Sequence, residues 1–270
     1  MTLSFKILNR SVKIKIKIIF VILAILLFAG NSYAQDSLSH RTIFPKGISI
    51  EYGFGKYSVR DEYISKEKYL GTFPSFNANW SRFHGKYGYH LILEYGSSSK
   101  IKNYNVSTDI YQFILNQGFL YPLPKMSLLA RDAYAFLGPS TELYFFYNKQ
   151  NIAVSGFDYA QSFAALFSIG LNSEIIFPIR KDLQVEGSLC MSILSLGFRM
   201  VDNEEEDVSP VKLLTLLSGT NASFRFGIRY NLFGNFSLKL AYKLHLTRIS
   251  SWAPLLSASD NLITTMAYKF

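Results

Sequence analysis

Ten charged residues, set among apolar neighbours in alternating segments, hold most of the chemical potential of this sequence. Glu51, Glu94, Glu142, Glu174 and Glu186 come first in the chain, and Arg225, Arg229, Lys239, Lys243 and Lys269 follow. On an extended chain successive side chains point to opposite faces, so all ten fall on the face opposite the apolar one. Acids from the first part of the chain and bases from the last could pair across a shared interior and close it. The same groups could instead line a narrow polar conduit with a transverse field. Unpaired charge is costly once water is excluded, which favours the pairing.

Other reactive groups lack an interpretable constellation. His245 shares the inward parity of Lys243 and has no acid beside it in sequence. His90 points inward, His84 falls in a tight turn, and His40 lies before the first strand. Ser192, Ser195 and Cys190 have no base at a useful spacing. Glu204-Glu205-Glu206-Asp207 offers the oxygen ligands that hard cations prefer, but without the interleaved glycine of a calcium loop it reads as a solvated acidic loop. The sequence therefore assigns no catalytic residue, no metal site and no cofactor.

The elements that must position these groups are strands. The chain ends on Leu262–Phe270, with Leu262, Thr264, Met266, Tyr268 and Phe270 on one face and Ile263, Thr265, Ala267 and Lys269 on the other. Nine earlier segments alternate in the same way, around 47–55, 75–80, 89–96, 111–121, 133–147, 162–177, 183–193, 218–231 and 236–246. The connections alternate too. Long polar ones fall near 60–70, 97–108, 148–160, 200–217 and 248–260, and short ones near 83–88, 122–131, 178–182 and 231–235. An uncapped terminal strand that must pair with the first, and sorted loop lengths, predict an all-β transmembrane antiparallel up-and-down β-barrel. About ten strands are expected, with eight and twelve as the alternatives, and both termini on the periplasmic, short-turn side. Trp80, Tyr89, Tyr121, Phe177, Tyr230 and Phe236 point outward beside the short turns and predict an aromatic girdle. Tyr95, Tyr111, Phe145, Tyr147 and Phe163 predict a second one near the long connections.

The first 34 residues stand apart. Lys6, Arg10, Lys13, Lys15 and Lys17 precede an apolar run from Ile18 to Gly30, and small residues at Ser32 and Ala34 follow. This is the pattern of a secretory signal peptide. Its removal leaves 23 basic against 19 acidic residues, a charge of +4 rather than +9. The high pI thus belongs largely to the leader and gives no reason to expect nucleic-acid binding. The single cysteine, Cys190, permits no intrachain disulfide and reads as a small inward residue. The domain reading is 1–34 signal peptide, 35–46 periplasmic lead-in and 47–270 barrel.

The leader followed by Gln35, the ten amphipathic segments and the terminal Tyr-x-Phe resemble small outer-membrane β-barrel proteins of Gram-negative bacteria, in style closest to those of the Bacteroidota. The resemblance covers the mature chain in pattern. Its specific part is the C-terminal strand, where Leu262, Met266, Tyr268 and Phe270 look like the assembly signal read by the barrel-assembly machinery. The resemblance implies export through a Sec-type signal, residence in the outer membrane and contact with its lipid. It carries no activity with it, because such families include structural barrels, adhesins, channels and secretion accessories. Barrel proteases similar to omptins use acids and an Asp-His pair at the rim. Here Asp61, Asp109, Asp158, Asp202 and Asp260 approach the rim without a histidine neighbour, and no H-x-S motif of a lipid deacylase occurs. The expected function is a non-enzymatic barrel with a mainly closed, ion-paired lumen. Its extracellular loops, with Phe157 and Trp252 as exposed aromatics, would bind an extracellular or periplasmic protein partner or serve a structural or accessory role. A narrow channel is the alternative, and a rim enzyme a distant third. The mature protein should begin at Gln35; N-terminal sequencing of the membrane-inserted form checks this, and a start upstream of residue 30 would mean a retained anchor.

Overall fold

The computed structural model describes residues 43–270 apart from positions 85, 104–105, 129–130, 155–156, 201–210 and 252–253. The leader, His40 and the acidic run at 204–207 therefore lie outside the described residues. The strands are β1 (Gly47–Asp61), β2 (Ser65–Thr72), β3 (Ser75–His84), β4 (Tyr87–Asn103), β5 (Val106–Pro122), β6 (Met126–Leu128), β7 (Arg131–Val154), β8 (Phe157–Pro178), β9 (Leu183–Met200), β10 (Val211–Thr215), β11 (Gly219–Asn231), β12 (Phe236–Ile249) and β13 (Leu255–Tyr268).

Ten of them form a closed antiparallel ring in chain order: β1, β3, β4, β5, β7, β8, β9, β11, β12, β13 and back to β1. The expected up-and-down barrel and its ten-strand count are thus observed. The remaining three strands extend ring members. β2 and β3 are one strand interrupted at Phe73-Pro74, where proline has no N–H to donate. β10 continues β11 along β9, and β6 is a short hairpin arm against β7.

The closing seam is unbroken from Ile48↔Tyr268 to Asp61↔Leu255. At its foot Gly47 has φ 133°, and a Cβ there would stand 1.9 Å from the Tyr268 carbonyl oxygen. Only glycine lets the two chain ends approach so closely. The Lys269 N–H donates to Asn235 O at 2.8 Å and ties the last strand to the neighbouring turn.

The stagger of the ring follows from the pairings. A row starting at Tyr52 runs through Phe76, Tyr95, Phe113, Phe145 and Ala165 to Phe198 on β9. In the other direction it runs through Thr264, Leu240 and Ile228 to Val185 on the same strand. Residues 185 and 198 are 13 apart, or 12 once the bulged residue in β9 is set aside. That offset corresponds to strands tilted by about 40°.

One feature departs from the expectation. Most of the long polar connections are not loops but strand. β1 and β2 continue to a turn at Glu62–Ile64, and β4–β5, β7–β8 and β12–β13 likewise extend as hairpins through the segments expected to be irregular. The physical reason is a reversal of polarity. Ile48, Ile50, Tyr52 and Phe54 face outward on lower β1, whereas Lys56, Ser58 and Arg60 take the outward positions above them and Tyr57 and Val59 turn inward and are buried. Alternation persists, but the apolar face changes sides, as it must where a sheet leaves an apolar surround for water.

The outward aromatics form two bands. Trp80 packs edge-on against Tyr89 at 5.4 Å, Tyr89 meets Phe119 at 5.3 Å, and Phe236 meets Tyr268 at 5.2 Å near the short turns. Tyr121, Tyr230 and Phe236 are exposed there, and Phe177 is half-buried. Toward the long hairpins Tyr111 meets Tyr147, Phe145 meets Phe163, and Phe163 meets Phe198. Deleting Phe270, exposed two residues beyond the end of β13, should lower the yield of folded barrel several-fold. Heat-modifiable mobility of membrane fractions measures this, and yields equal to the parent would remove the residue from the assembly signal.

Candidate functional site

The functional surface of a barrel this narrow is its interior, and the interior is layered. At the short-turn end the chain before β1 folds inward. Phe44 lies on Gly88, where a Cβ would be 2.5 Å from its ring, and packs against Phe83 and Phe136 at 5.7 and 5.4 Å. Leu120, Tyr134 and Ile176 complete this apolar stopper. The last residues of the segment read as a polar lead-in are thus part of the lumen filling.

Above the stopper lies the charge layer. The Arg225 guanidinium pairs with Glu51 at 2.8 Å, and the same carboxylate accepts from Asn77 at 2.9 Å and Thr265 at 3.2 Å. Glu186 is held by both Arg229 and Lys239, each at 2.7 Å. Lys243 on β12 reaches Glu94 on β4, an ion pair that spans the lumen. Three of the five predicted acids therefore carry four of the five predicted bases.

The other predicted members behave differently. Glu142 is met by amides, accepting from Asn116 Nδ2 at 3.2 Å and from Asn221 Nδ2, with no ion pair among the described residues. Glu174 has neither a hydrogen bond nor an ion pair among the described residues. Lys269 does not approach Glu51 across the closing seam. The register sets Glu51 opposite Thr265, four residues away, and Lys269 instead donates to Asn231 at 2.5 Å. The picture of an acidic wall facing a basic wall also needs correction. Glu186 and Arg229 stand on adjacent strands, β9 and β11, because the ring brings the end of the acidic series beside the start of the basic one.

Neutral polar side chains are interleaved with these charges. Asn116 contacts His90 at 3.3 Å and Cys190 Sγ at 3.4 Å, and Asn172 contacts His90 at 2.7 Å. Cys190 is thus lumenal, and Ser140 Oγ lies 3.7 Å from it. Ser192 accepts from the Asn221 N–H at 2.7 Å, and Ser195 bonds Ser168 at 2.7 Å. His245 is buried, stacked at 6.1 Å on Tyr144 and 3.1 Å from Thr247 Oγ1. His84 ends β3 in an exposed position. No group of His, Cys, Asp and Glu suited to a metal occurs among the described residues.

Sequence reasoning missed the next layer. Tyr57, Val59, Tyr69, Phe73, Ile101, Ile110, Tyr144, Phe146, Leu166, Leu214, Ile249 and Leu255 form one buried cluster contributed from all round the barrel. Above it Asp61 on β1 pairs with Arg199 on β9, and both are buried. Asn148 at 3.3 Å and Ser162 also donate to Asp61, and the guanidinium lies 5.9 Å over the Tyr63 ring. Asp61 follows the inward parity of Glu51 and could have been found by continuing the count. Arg199 could not. Ile169 pairs with Leu194 and Gly170 with Ser192, so Ile193 is an extra residue that reverses the parity of everything beyond it on β9.

With this geometry in view, the comparisons with known proteins are informative about fold. The outer membrane protease OmpT from Escherichia coli matches over 84% of this chain and 97% of its own, with 9% identity and a TM-score of 0.51. The translocator domain of autotransporter NalP from Neisseria meningitidis matches over 86% and 91%, at 10% identity and a TM-score of 0.44. The attachment invasion locus protein Ail of Yersinia pestis matches over 84% and 100%, at 10% identity and a TM-score of 0.32. The sequence matches no family model and no curated protein. The class defined by the fold is the outer-membrane-type β-barrel.

Removing one partner of a buried ion pair leaves an uncompensated charge, which typically costs about 3–5 kcal/mol. Lys243→Met and Glu94→Gln should each lower the urea midpoint of the folded barrel accordingly. The double variant should recover much of the loss, as read by intrinsic fluorescence in a double-mutant cycle. Additive losses would mean that the two groups do not interact.

Proposed function

We propose that this protein is an integral outer-membrane barrel whose lumen does not conduct. Its role is non-enzymatic: it presents the long-hairpin end outside the cell as a binding or structural surface. The observation that carries this reading is the layering of the interior. Two apolar clusters lie above and below a hydrogen-bonded charge layer. A solvated ion would have to cross each apolar layer and break the pairing between them, and hydrophobic constrictions close narrow pores to water.

Membrane placement is supported by the outward apolar stripe, by the two aromatic bands and by the likeness in fold to OmpT. The short-turn end, with both ends of the barrel-forming chain, then faces the periplasm. The leader exports the chain through a Sec-type route, and the barrel-assembly machinery inserts it. The environment of the rim candidates supports a non-enzymatic role. Asp61 is held by Arg199, and His245 is enclosed beside Tyr144 instead of standing at the rim.

Planar-bilayer recordings of the purified protein should show no stable unitary openings. Substituting alanine for Phe44 and Phe136 together should also leave the barrel closed, because the upper cluster remains. Stable openings in the parent would overturn the proposal in favour of a conduit.

A further inference from the structure

A second feature lies on the outer wall. Between β2–β3 and β4 the barrel seam is incomplete. β2 meets β4 at the single register pair Leu70↔Lys102, and regular pairing resumes only at Ser75↔Gly96. In the gap, Ser98 Oγ donates to Thr72 O at 2.5 Å and the Ser97 N–H reaches Pro74 O at 3.4 Å. Pro74 interrupts one side, and β4 bulges on the other between Ser98 and Ile101. The result is a cavity of about 270 Å³ opening outward, lined by Phe54, Thr72, Ser97, Ser98, Ser99 and Tyr111. Thr72 and the three serines give its walls hydroxyls, and Phe54, Pro74 and Tyr111 give them an apolar side.

The charge around the cavity is mostly basic. Lys56 is the register partner of Thr72, and Lys102 that of Leu70 two residues further on, so the two flank the upper rim. Lys66 and Lys68 rise above them on β2. All four are exposed and none forms an ion pair among the described residues. Three of the acids nearby are engaged, Glu62 with Arg60 at 2.5 Å, Glu67 with Asn103, and Asp260 with the Lys56 N–H at 3.1 Å, and Asp109, two residues from Tyr111 on the same face of β5, stands opposite Lys149. The cavity also sits where the outward face of β1 passes from Phe54 to Lys56, the level at which an apolar belt gives way to headgroups.

We propose that this slot binds the headgroup of a phosphorylated glycolipid from the leaflet at the long-hairpin end. The serine and threonine hydroxyls take the sugar, Phe54 and Tyr111 support its apolar face, and Lys56 and Lys102 take the phosphate. Basic clusters beside a membrane surface recognise anionic headgroups in this way. The site rests on the membrane placement proposed above and is independent of whether the lumen is closed.

The test is a titration of the folded, detergent-purified protein by native mass spectrometry with a diphosphorylated glucosamine-disaccharide lipid, its dephosphorylated form and phosphatidylglycerol. The parent should retain the phosphorylated glycolipid in preference to the other two. Lys56→Ser with Lys102→Ser should weaken that binding about 30-fold, the scale expected for two lysines at an anionic surface. Ser99→Trp, which fills the slot, should weaken glycolipid binding and leave the weaker phosphatidylglycerol binding unchanged. Unchanged affinity in the lysine variant would overturn the proposal. So would equal retention of phosphatidylglycerol and glycolipid by the parent, which would reduce the site to general electrostatic attraction. Flotation of the same proteins with lipid vesicles reads membrane insertion separately and keeps failure of the site distinct from failure of the placement.

Discussion

Closure of the sheet on itself is the constraint from which the rest of the molecule follows. An open antiparallel sheet leaves a row of unpaired N–H and C=O groups on each edge, and in an apolar surround each such group costs several kcal/mol. Pairing β1 with β13 along the whole length of β1 removes both edges at once. Closure with a stagger of 12 fixes the tilt and hence the width of the interior. It also fixes which residues share that interior, because every second side chain on each ring strand must point into it unless a bulge intervenes. The close approach at Gly47 and Tyr268 belongs to the same constraint: any Cβ at residue 47 would push the two ends of the chain apart.

A narrow closed interior then dictates the chemistry inside it. Side chains from strands far apart in sequence come within hydrogen-bonding reach across the lumen, and charges buried there must find partners or stay solvated. Glu94 with Lys243 and Asp61 with Arg199 each join strands four places apart in the ring. These pairs sit at different heights with an apolar cluster between them, so the lumen is filled by alternating kinds of contact. The outer surface follows a complementary rule. Along the lower barrel the outward face is apolar and the inward face polar. In the upper hairpins the arrangement inverts, and a conventional apolar core forms inside the upper barrel. This inversion turns segments that look like polar loops into strands.

Much of the architecture was legible from the residues alone. Period-two alternation located all ten ring strands, the alternating connection lengths gave their up-and-down order, and the terminal Leu262–Phe270 stripe pointed to closure. The inward direction of Glu51, Glu94, Glu186, Arg225, Arg229, Lys239 and Lys243 followed from the same parity, because side-chain direction on a strand is local geometry. The hairpin extensions escape a pattern of apolar residues on one face, because there the apolar residues move to the other. Phe44 was not read as lumen filling because a residue before the first strand has no parity to assign.

The sequence by itself determined the ten ring strands, their order and, short of the bulge in β9, the face their side chains take, since these depend on nearest neighbours along the chain. Tertiary structure alone decided who meets whom. The extra residue at Ile193 turns Arg199 inward toward Asp61, and the register of the closing seam carries Lys269 away from Glu51 to Asn231. The break at Phe73-Pro74, opposite a bulge in β4, opens a hydroxyl-lined slot in an otherwise continuous wall. In each case the cause is register, a one-residue quantity set by the pairing of strands distant in sequence, to which alternation along a single strand is blind.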